Sequence, residues 1–235
     1  MRSQQEEENV KSSLNVSKGF SVRLCLCSSG VLKVSACIFL FRALNYEQQT
    51  AKVLVQEGHN VFITGKAGTG KTFLLSHLCD DMKTEGKIVS VTCTTGIACK
   101  SLPPALQAAT LHSFAGIKDG SGSLTQLLEQ IDGNHGAKDR CRTTAVLVID
   151  EVSMLSEKIF NHTEYIARNV RQESRAFGGI QLVASGDFFQ LPLVPRYDDE
   201  GNFAFQCKLW DVVFPHTSAQ NSAVTKGTSF HRFRK

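Results

Sequence analysis

The sequence has 235 residues, of which 42% are hydrophobic and 20% are charged, and this balance is typical of a globular protein with a substantial core. Its length suits one domain of ordinary size with tails, or two small domains. The net charge of +4 excludes binding of nucleic acid through a basic field over the whole surface, because the excess lies in residues 1–43 and 218–235, while the middle holds 16 basic and 19 acidic residues.

The first 43 residues show neither a clean period nor a motif. We predict a poorly ordered segment with at most one short helix or strand at 31–41. Its most apolar run, Val34–Phe41, is far shorter than the ~20 residues that a membrane-spanning helix needs. The acidic start excludes a signal peptide, and it also disfavours a mitochondrial presequence, although the basic residues of the segment keep that alternative open.

Recognisable patterns of secondary structure begin at Asn45. Asn45 and Gln48 have the spacing of a capping box and predict a helix to about Glu57. Further helices are predicted from the glycine-rich loop to about Met82, at 123–131, and from Ser153 to about Gln172. Strands are predicted at Asn60–Thr64, Lys87–Cys93, Ala145–Ile149 and Ile180–Ala184. Residues 198–202 predict the turn of a hairpin that ends at Phe205.

Short apolar strands that alternate with helices predict the fold class. We expect an α/β domain with a mostly parallel sheet and helices on both faces. Eight cysteines are present without any C-x-x-C pair, so we expect reduced thiols in an intracellular protein rather than a zinc site or a disulfide framework.

A complete phosphate-binding loop follows the first predicted strand. The segment Gly65–Thr72 matches G-x-x-x-x-G-K-[ST], and its glycines let backbone N–H groups point at a phosphate where a helix begins. In this pattern Lys71 reaches the β- and γ-phosphates, and the Thr72 hydroxyl holds Mg²⁺. We therefore predict an ATP site on Gly65, Lys66, Ala67, Gly68, Thr69, Gly70, Lys71 and Thr72.

Two acids follow the third predicted strand. Asp150 and Glu151 come directly after five apolar residues, so their carboxylates should emerge at the carboxyl end of a buried strand beside the phosphate loop. We predict that Asp150 binds Mg²⁺, usually through water, and that Glu151 orients or deprotonates the attacking water. Acids also end many strands without any function, but the preceding phosphate loop favours the magnesium interpretation.

The segment Ile180–Pro192 resembles the third motif of the Pif/RecD class of helicases. Other segments follow in the order of the Pif-type (petite integration frequency) family, and they are Leu44–Gln48, Thr92–Ala98, Thr110–Gly116 and Asp150–Met154. The resemblance covers residues 44–217 and implies the RecA-like first motor domain of such a helicase. Residues 1–43 stay unassigned, and residues 218–235 form an unmatched basic tail.

This resemblance implies an ATP- and Mg²⁺-dependent DNA helicase that unwinds in the 5′-to-3′ direction and serves repair, recombination and telomere maintenance. Its partners would be single-stranded and forked or structured duplex DNA, with no membrane, in the nucleus, the mitochondrion or both. By the same resemblance Gln48 would read adenine, and Gln190 would contact the γ-phosphate as a catalytic residue beside Lys71 and Glu151. Gln48 could equally be the capping residue of its helix.

The family resemblance also assigns a DNA path to His112 and Phe114. An aromatic ring on such a path can stack on a base and contribute ~1–3 kcal/mol. The alternative for Phe114 is a place in the core, because a lone phenylalanine is usually buried.

The sequence departs from the family pattern in two places. Leu193 stands where a second proline is usual, and nothing after Thr217 resembles the second motor domain. We therefore expect a truncated or alternatively spliced product, or a faulty gene model, that binds Mg·ATP and barely hydrolyses it. The rival interpretations are a non-catalytic nucleotide- or DNA-binding fragment and an unrelated P-loop enzyme such as a small kinase.

Overall fold

A five-stranded parallel sheet organises the described part of the protein. The computed structural model describes residues 44–187 and 202–215. The predictions made for residues 1–43, for Gln190 and for the basic tail therefore lie outside the described residues. The strands are β1 (Val61–Thr64), β2 (Val89–Cys93), β3 (Ala109–Thr110), β4 (Val146–Asp150) and β5 (Gln181–Gly186), and they pair in the order β1-β5-β4-β2-β3.

The helices of the described residues precede, connect and follow these strands. In chain order they are α1 (Tyr46–Gln56), α2 (Lys71–Thr84), α3 (Gly96–Ser101), α4 (Leu111–Ala115), α5 (Leu124–Asp132), α6 (His135–Thr143), α7 (Glu157–Arg171) and α8 (Lys208–Val213). Short 3₁₀ turns occur at Pro104–Leu106, Val152–Met154, Ala176–Gly179 and Ala204–Gln206.

Both faces of the sheet are covered, as the apolar strands predict. Every residue of β4 is buried, although successive side chains of a strand point to opposite faces. On one face, Leu147 and Ile149 belong to a core cluster with buried residues of α4 to α8. On the other face, Val146 and Val148 are buried together with residues from the apolar stripe of α2, which packs against β2. The predicted α/β architecture is therefore confirmed.

Local hydrogen bonds set the helix ends. The α5 helix begins after a capping box in which the Gln126 amide N–H donates to the Ser123 hydroxyl and the Ser123 N–H donates to Gln126 Oε1. The long predicted helix from Ser153 begins later, at Glu157, because Ser156 caps it by accepting from the Ile159 N–H. The residues before that cap form a 3₁₀ turn instead.

The turn predicted at 198–202 lies outside the described residues except for Asn202, whereas the strand predicted to end at Phe205 is wrong. Phe203 makes one antiparallel bridge with Ser156, and Ala204–Gln206 then forms a 3₁₀ turn. Within the described residues, the chain thus packs across the start of α7, and Ala204–Gln206 do not form a strand.

None of the helices in the described ranges is both long enough and apolar enough to cross a lipid bilayer.

Candidate functional site

The carboxyl edge of the sheet gathers the predicted catalytic and binding residues that the structure describes. The phosphate loop follows β1, the pair Asp150 and Glu151 ends β4, and Asp187 comes directly after β5. Because β5 lies between β1 and β4, Asp187 stands between the loop and the two acids. Ligands of open α/β sheets bind in a crevice at this edge, so the topology alone brings these groups together.

The phosphate loop is closed by its own hydrogen bonds. Lys71 Nζ donates to the carbonyl oxygens of Gly65 at 2.7 Å and Lys66 at 3.2 Å, and Thr69 Oγ1 donates to the Lys66 carbonyl at 2.9 Å. Gly70, at the cap of α2, has a left-handed φ of 86°, which favours glycine. The Lys71 ammonium is thereby held inside the loop, where the motif predicts a phosphate.

Gln48 lies against this loop. Its Nε2 donates to the Thr69 carbonyl at 3.4 Å, and a Cβ atom at Gly70 would stand 2.9 Å from the same nitrogen. The side chain therefore reaches from α1 to the loop, and any residue larger than glycine at position 70 would push it away.

The two acids after β4 have different surroundings. Asp150 is buried at 6% exposure, and its Oδ1 accepts a hydrogen bond from the Ser185 hydroxyl on β5. Glu151 is half-buried, and its backbone has a left-handed φ of 55°, which is uncommon outside glycine. Strained backbone of this kind clusters at functional sites, because the surrounding structure must hold it in place.

Burial raises the pKa of the Glu151 carboxyl above its ordinary value of 4.5. The negative charges of Asp150 and Asp187 also raise this pKa, and the positive charge of Lys71 opposes them. A carboxylate with a raised pKa is a stronger base, which suits the predicted action on water.

Replacing Glu151 with glutamine is expected to stabilise the fold at neutral pH, because the neutral amide removes a charge that burial and two nearby acids disfavour. The pKa of Glu151 is higher in the folded state than in the unfolded chain, so the charged carboxylate lowers stability at pH values above the folded pKa. This stabilisation should shrink as the pH falls through the folded pKa and vanish below 4.5, where the carboxyl is protonated in both states.

Thermal unfolding of both proteins across this pH range measures the effect. Glu129→Gln, the same change at an exposed position of α5, should leave the melting temperature unchanged at every pH. A Glu151→Gln protein that melts below the parent at neutral pH would contradict the assigned surroundings of the acid.

Three site residues escaped the sequence predictions, namely Asp187, Ser185 and Thr94. Asp187 is 4% exposed at the end of β5, and it could have been found by the rule that singled out Asp150, an acid directly after an apolar strand. Ser185 holds Asp150, and Thr94 Oγ1 donates to the Glu151 carbonyl at 3.2 Å. Both hydroxyls lie in segments that resemble the family, but only the pairing of β2, β4 and β5 shows which acid each of them contacts.

The residues present fit a magnesium ion bound together with a nucleotide. The Thr72 side chain is exposed beside the loop, while Asp150, Glu151 and Asp187 bring carboxylates to one edge with Lys71 as the nearby cation. Within residues 44–187 and 202–215 no group of three or more His, Cys, Asp or Glu could hold a metal alone. Mg²⁺ commonly takes one or two protein carboxylates and completes its shell with phosphates and water.

The structure corrects the DNA-stacking role predicted for Phe114. Its side chain is 2% exposed and belongs to the core cluster on one face of the sheet, so the ring offers no face to a base. His112 is the second residue of the same short helix and is half-buried at the surface. Of the two predicted DNA contacts, only His112 is placed where a strand could reach it.

The glycine after this helix also has a structural role. Gly116 ends α4 with a left-handed φ of 70°, and a Cβ atom there would stand 2.6 Å from Ile131 Cδ1 and 2.9 Å from Ala137 Cβ. The helix α4 therefore packs so closely on α5 and α6 that only glycine fits. Both Phe114 and Gly116 thus anchor the segment that presents His112.

Comparison with known proteins identifies a family for this arrangement. The family model described as PIF1-like helicase matches residues 43–226. The ATP-dependent DNA helicase PIF1 of Emericella nidulans is 41% identical over 176 residues, which cover 73% of this chain and 23% of that protein.

Two solved structures share the fold. The Pif1 helicase from Candida albicans superposes with a TM-score of 0.67 at 41% identity, over 73% of this chain and 38% of that one. The Pif1 helicase from Bacteroides in complex with ADP-AlF3 and ssDNA gives a TM-score of 0.57 at 30% identity, over 73% of this chain and 40% of that one. These likenesses confirm the predicted RecA-like P-loop fold.

The chain corresponds to only part of each relative. The match begins beside the predicted domain start at Leu44 and continues past the predicted end at Thr217. The chain spans about a quarter of the length of the curated relatives that it matches, and about two-fifths of the solved helicases. With a matching family model over most of its length and this nucleotide-site geometry, the chain belongs to the PIF1-like helicase family.

Proposed function

We propose that this chain binds Mg·ATP and is the nucleotide-binding part of an ATP-dependent 5′-to-3′ DNA helicase. The observation that carries this proposal is the meeting of a complete phosphate loop with Asp150 and Glu151 at one edge of a parallel sheet. The family membership supports it, because the matched relatives are named as ATP-dependent DNA helicases.

Each residue of the site has a proposed task. Lys71 exchanges the carbonyls of Gly65 and Lys66 for the β- and γ-phosphates, since an ammonium binds charged oxygens more strongly than neutral ones. Thr72 and Asp150 hold Mg²⁺, which when bound neutralises charge on the phosphate oxygens. Glu151 positions the attacking water and takes its proton.

Two glutamines complete the proposed site. Gln48 lies against the phosphate loop, and we assign it to the adenine ring on the strength of that position together with its match to the family segment. Gln190, which lies outside the described residues, is proposed to contact the γ-phosphate on the family resemblance alone.

The proposed DNA contact is local and weak. In residues 44–217 acids outnumber bases, so few phosphates can be neutralised, and affinity for nucleic acid depends on that number. His112 and the exposed residues Ile97 and Lys100 of α3 are the groups that we assign to single-stranded DNA. A Bacteroides Pif1 structure that contains ssDNA supports a DNA substrate for the family fold.

The cellular location and biological role are inferred from the family alone. We infer an intracellular protein of the nucleus, the mitochondrion or both that acts on forked or structured DNA in repair, recombination and telomere maintenance.

The purified 235-residue polypeptide is expected to bind single-stranded DNA weakly and to release no strand from a forked duplex. Directional stepping needs two bodies that close around ATP while each holds DNA, and this polypeptide corresponds to about two-fifths of the solved helicases. A second body commonly supplies an arginine that accelerates hydrolysis by about 10³–10⁵-fold in P-loop enzymes. Fluorescence anisotropy with a labelled oligonucleotide and a strand-release assay with ATP measure the two expectations.

A matched pair of variants tests the DNA contact. His112→Ala should weaken the salt-sensitive binding of the oligonucleotide. His59→Ala, at the opposite edge of the sheet where β1 begins, should leave that binding unchanged. Strand release above the control without ATP would overturn the expectation for the isolated polypeptide, and phosphate transfer to a nucleoside without stimulation by DNA would favour a kinase instead.

A further inference from the structure

A cavity of about 370 Å³ lies at the amino edge of the sheet, opposite the nucleotide site. Its lining comes from the end of α6, the end of α7 and the segment that leads into β5. Arg142, Arg171 and Arg175 line it together with one acid, Glu173. Positive charge is therefore in excess around this cavity, although acids outnumber bases in residues 44–217 as a whole.

Arg171 joins the two sides of the cavity. Its Nε donates to the Gly178 carbonyl oxygen at 2.6 Å, and its Nη1 donates to the carbonyl oxygens of Arg142 at 2.7 Å and Thr144 at 3.0 Å. These bonds fix the guanidinium between the end of α6 and the turn before β5. Its Nη2 makes no hydrogen bond within the described residues, so two N–H donors of a fixed cation have no protein acceptor there.

The turn beside this arginine is packed tightly against α7. Phe177 has a left-handed φ of 53°, which is uncommon for a bulky residue, and Gly178 follows with a φ of 60°. A Cβ atom at Gly178 would stand 2.7 Å from the Ala167 carbonyl oxygen and 2.8 Å from Arg171 Cδ. Because the surroundings hold such a backbone in place, the wall of the cavity is formed before any ligand arrives.

The other two arginines have weak partners. Arg175 Nη2 lies 3.1 Å from Glu173 Oε2, and Arg142 Nη1 lies 3.9 Å from Asp139 Oδ1. The side chains of these arginines are 73% and 57% exposed. Ion pairs between exposed side chains contribute little to stability, so an anion from outside can replace either carboxylate at low cost.

We propose that this cavity binds a phosphate group of a DNA backbone, as a second contact apart from the one assigned to His112. Guanidinium groups bind phosphate oxygens through two parallel hydrogen bonds, and the cavity supplies three such groups, one of them already fixed. The choice of DNA as the source of the phosphate rests on the proposed function, whereas the preference for an oxyanion rests on the arginines.

The composition of the lining favours a phosphate backbone over an acidic protein segment. Val170 is the one apolar side chain among the described residues that line the cavity. Protein partners are commonly held by large apolar anchors in pockets, whereas contacts to a phosphate backbone need cations and hydrogen-bond donors. The helix that presents His112 follows the carboxyl end of β3, so the two contacts lie on opposite edges of the sheet. DNA bound at one edge therefore leaves the other edge open.

A blunt DNA duplex is the first probe, because it has no unpaired strand for the His112 contact. Its binding to the full chain is followed by fluorescence anisotropy over a range of salt concentrations. Arg142→Ala combined with Arg175→Ala should weaken binding by roughly two- to thirtyfold and lower the slope of log affinity against log salt by about two. Lys83→Ala combined with Lys208→Ala removes the same charge from exposed positions outside the cavity and should leave both quantities unchanged.

The fold is unaffected by the change that this test requires. Arg142 and Arg175 are exposed, so thermal unfolding of the double variant should match the parent. Arg171 stays intact because its bonds to main-chain carbonyls hold the two sides of the cavity together. The basic tails contribute equally to the parent and to both double variants, so the difference between the variants reports on the cavity.

A single-stranded oligonucleotide identifies the source of the phosphate. A loss of affinity for one probe alone assigns the cavity to that form of DNA, and a loss for both shows that either form supplies the phosphate. Unchanged affinity for both probes in the arginine double variant would overturn the proposal. Labelled polyglutamate is the third probe: if the double variant loses polyglutamate and keeps DNA, the ligand is an acidic protein segment and the proposal is wrong.

The test is independent of the nucleotide site. The arginine double variant should bind a fluorescent ATP analogue as the parent does, because the cavity lies at the other edge of the sheet. Normal nucleotide binding together with DNA binding that ignores the arginines would overturn this cavity alone. Loss of duplex binding in the double variant, with oligonucleotide binding that ignores His112→Ala, would support the cavity and count against the single-strand contact in the proposed function.

Discussion

Replacing Lys71 with alanine is expected to lower the affinity for Mg·ATP by on the order of 10²–10⁴-fold. The Lys71 ammonium already sits inside the loop, 2.7 Å from the Gly65 carbonyl oxygen, and no other side-chain cation of the loop makes such a contact within the described residues. Two hydrogen bonds to charged phosphates contribute ~1.5–3 kcal/mol each, and ~1.4 kcal/mol corresponds to a tenfold change in affinity. Titration with a fluorescent ATP analogue in the presence of Mg²⁺ measures the change.

A control on the same helix makes this result specific. Lys83→Ala removes the same charge from the exposed last turn of α2 and should leave the affinity within error of the parent. Thermal unfolding of both variants should match the parent, which would show that the loss at Lys71 is a loss of contact and not of fold. Unchanged nucleotide affinity in Lys71→Ala would refute the assignment of the phosphate loop.

The second large effect is on stability. Replacing Phe114 with alanine is expected to destabilise the fold by ~3–5 kcal/mol, because this change deletes a fully buried ring and leaves a cavity. Domains have a total stability of only ~5–15 kcal/mol, so the variant should unfold at a clearly lower urea concentration. Equilibrium unfolding followed by tryptophan fluorescence is suitable, because Trp210 belongs to the same core cluster as Phe114.

Phe205→Ala is the matched control, since it deletes the same ring at a position where 37% of the residue is exposed. Its expected cost is below ~1 kcal/mol, as for most substitutions outside the core. If Phe114→Ala kept the parent's stability and lost only DNA binding, the stacking role implied by the family resemblance would be right after all.

The sequence alone identifies the role of Lys71 but not that of Phe114. The loop motif identifies Lys71 because its chemistry depends on a local run of eight residues, Gly65–Thr72, whose spacing is visible in the chain. The segment Thr110–Gly116 also has a recognisable pattern, but the pattern alone does not tell a base-stacking ring from a packed one. Burial decides that question, and burial depends on α5, α6 and α7, which close over α4.

The longer strands are predictable from the sequence, and the short helices are not. The sequence predicts the four longer strands to within a few residues, because continuous apolar runs are visible locally and are typical of strands that are covered on both faces. The short elements α3, α4, α6 and α8 were not predicted. Helices of five to nine residues with few apolar positions carry little periodic signal, and tertiary packing holds them in place.

By itself, therefore, the sequence of this protein determined the fold class, the phosphate loop and the acids Asp150 and Glu151, because each depends on residues that are close along the chain. Only the tertiary structure decided that Asp187 stands between the loop and those acids and that Gln48 reaches Thr69. The first relation follows from the order of the strands in the sheet, and the second follows from the position of α1 beside the phosphate loop. Both follow from packing over long sequence separations, which no local pattern records.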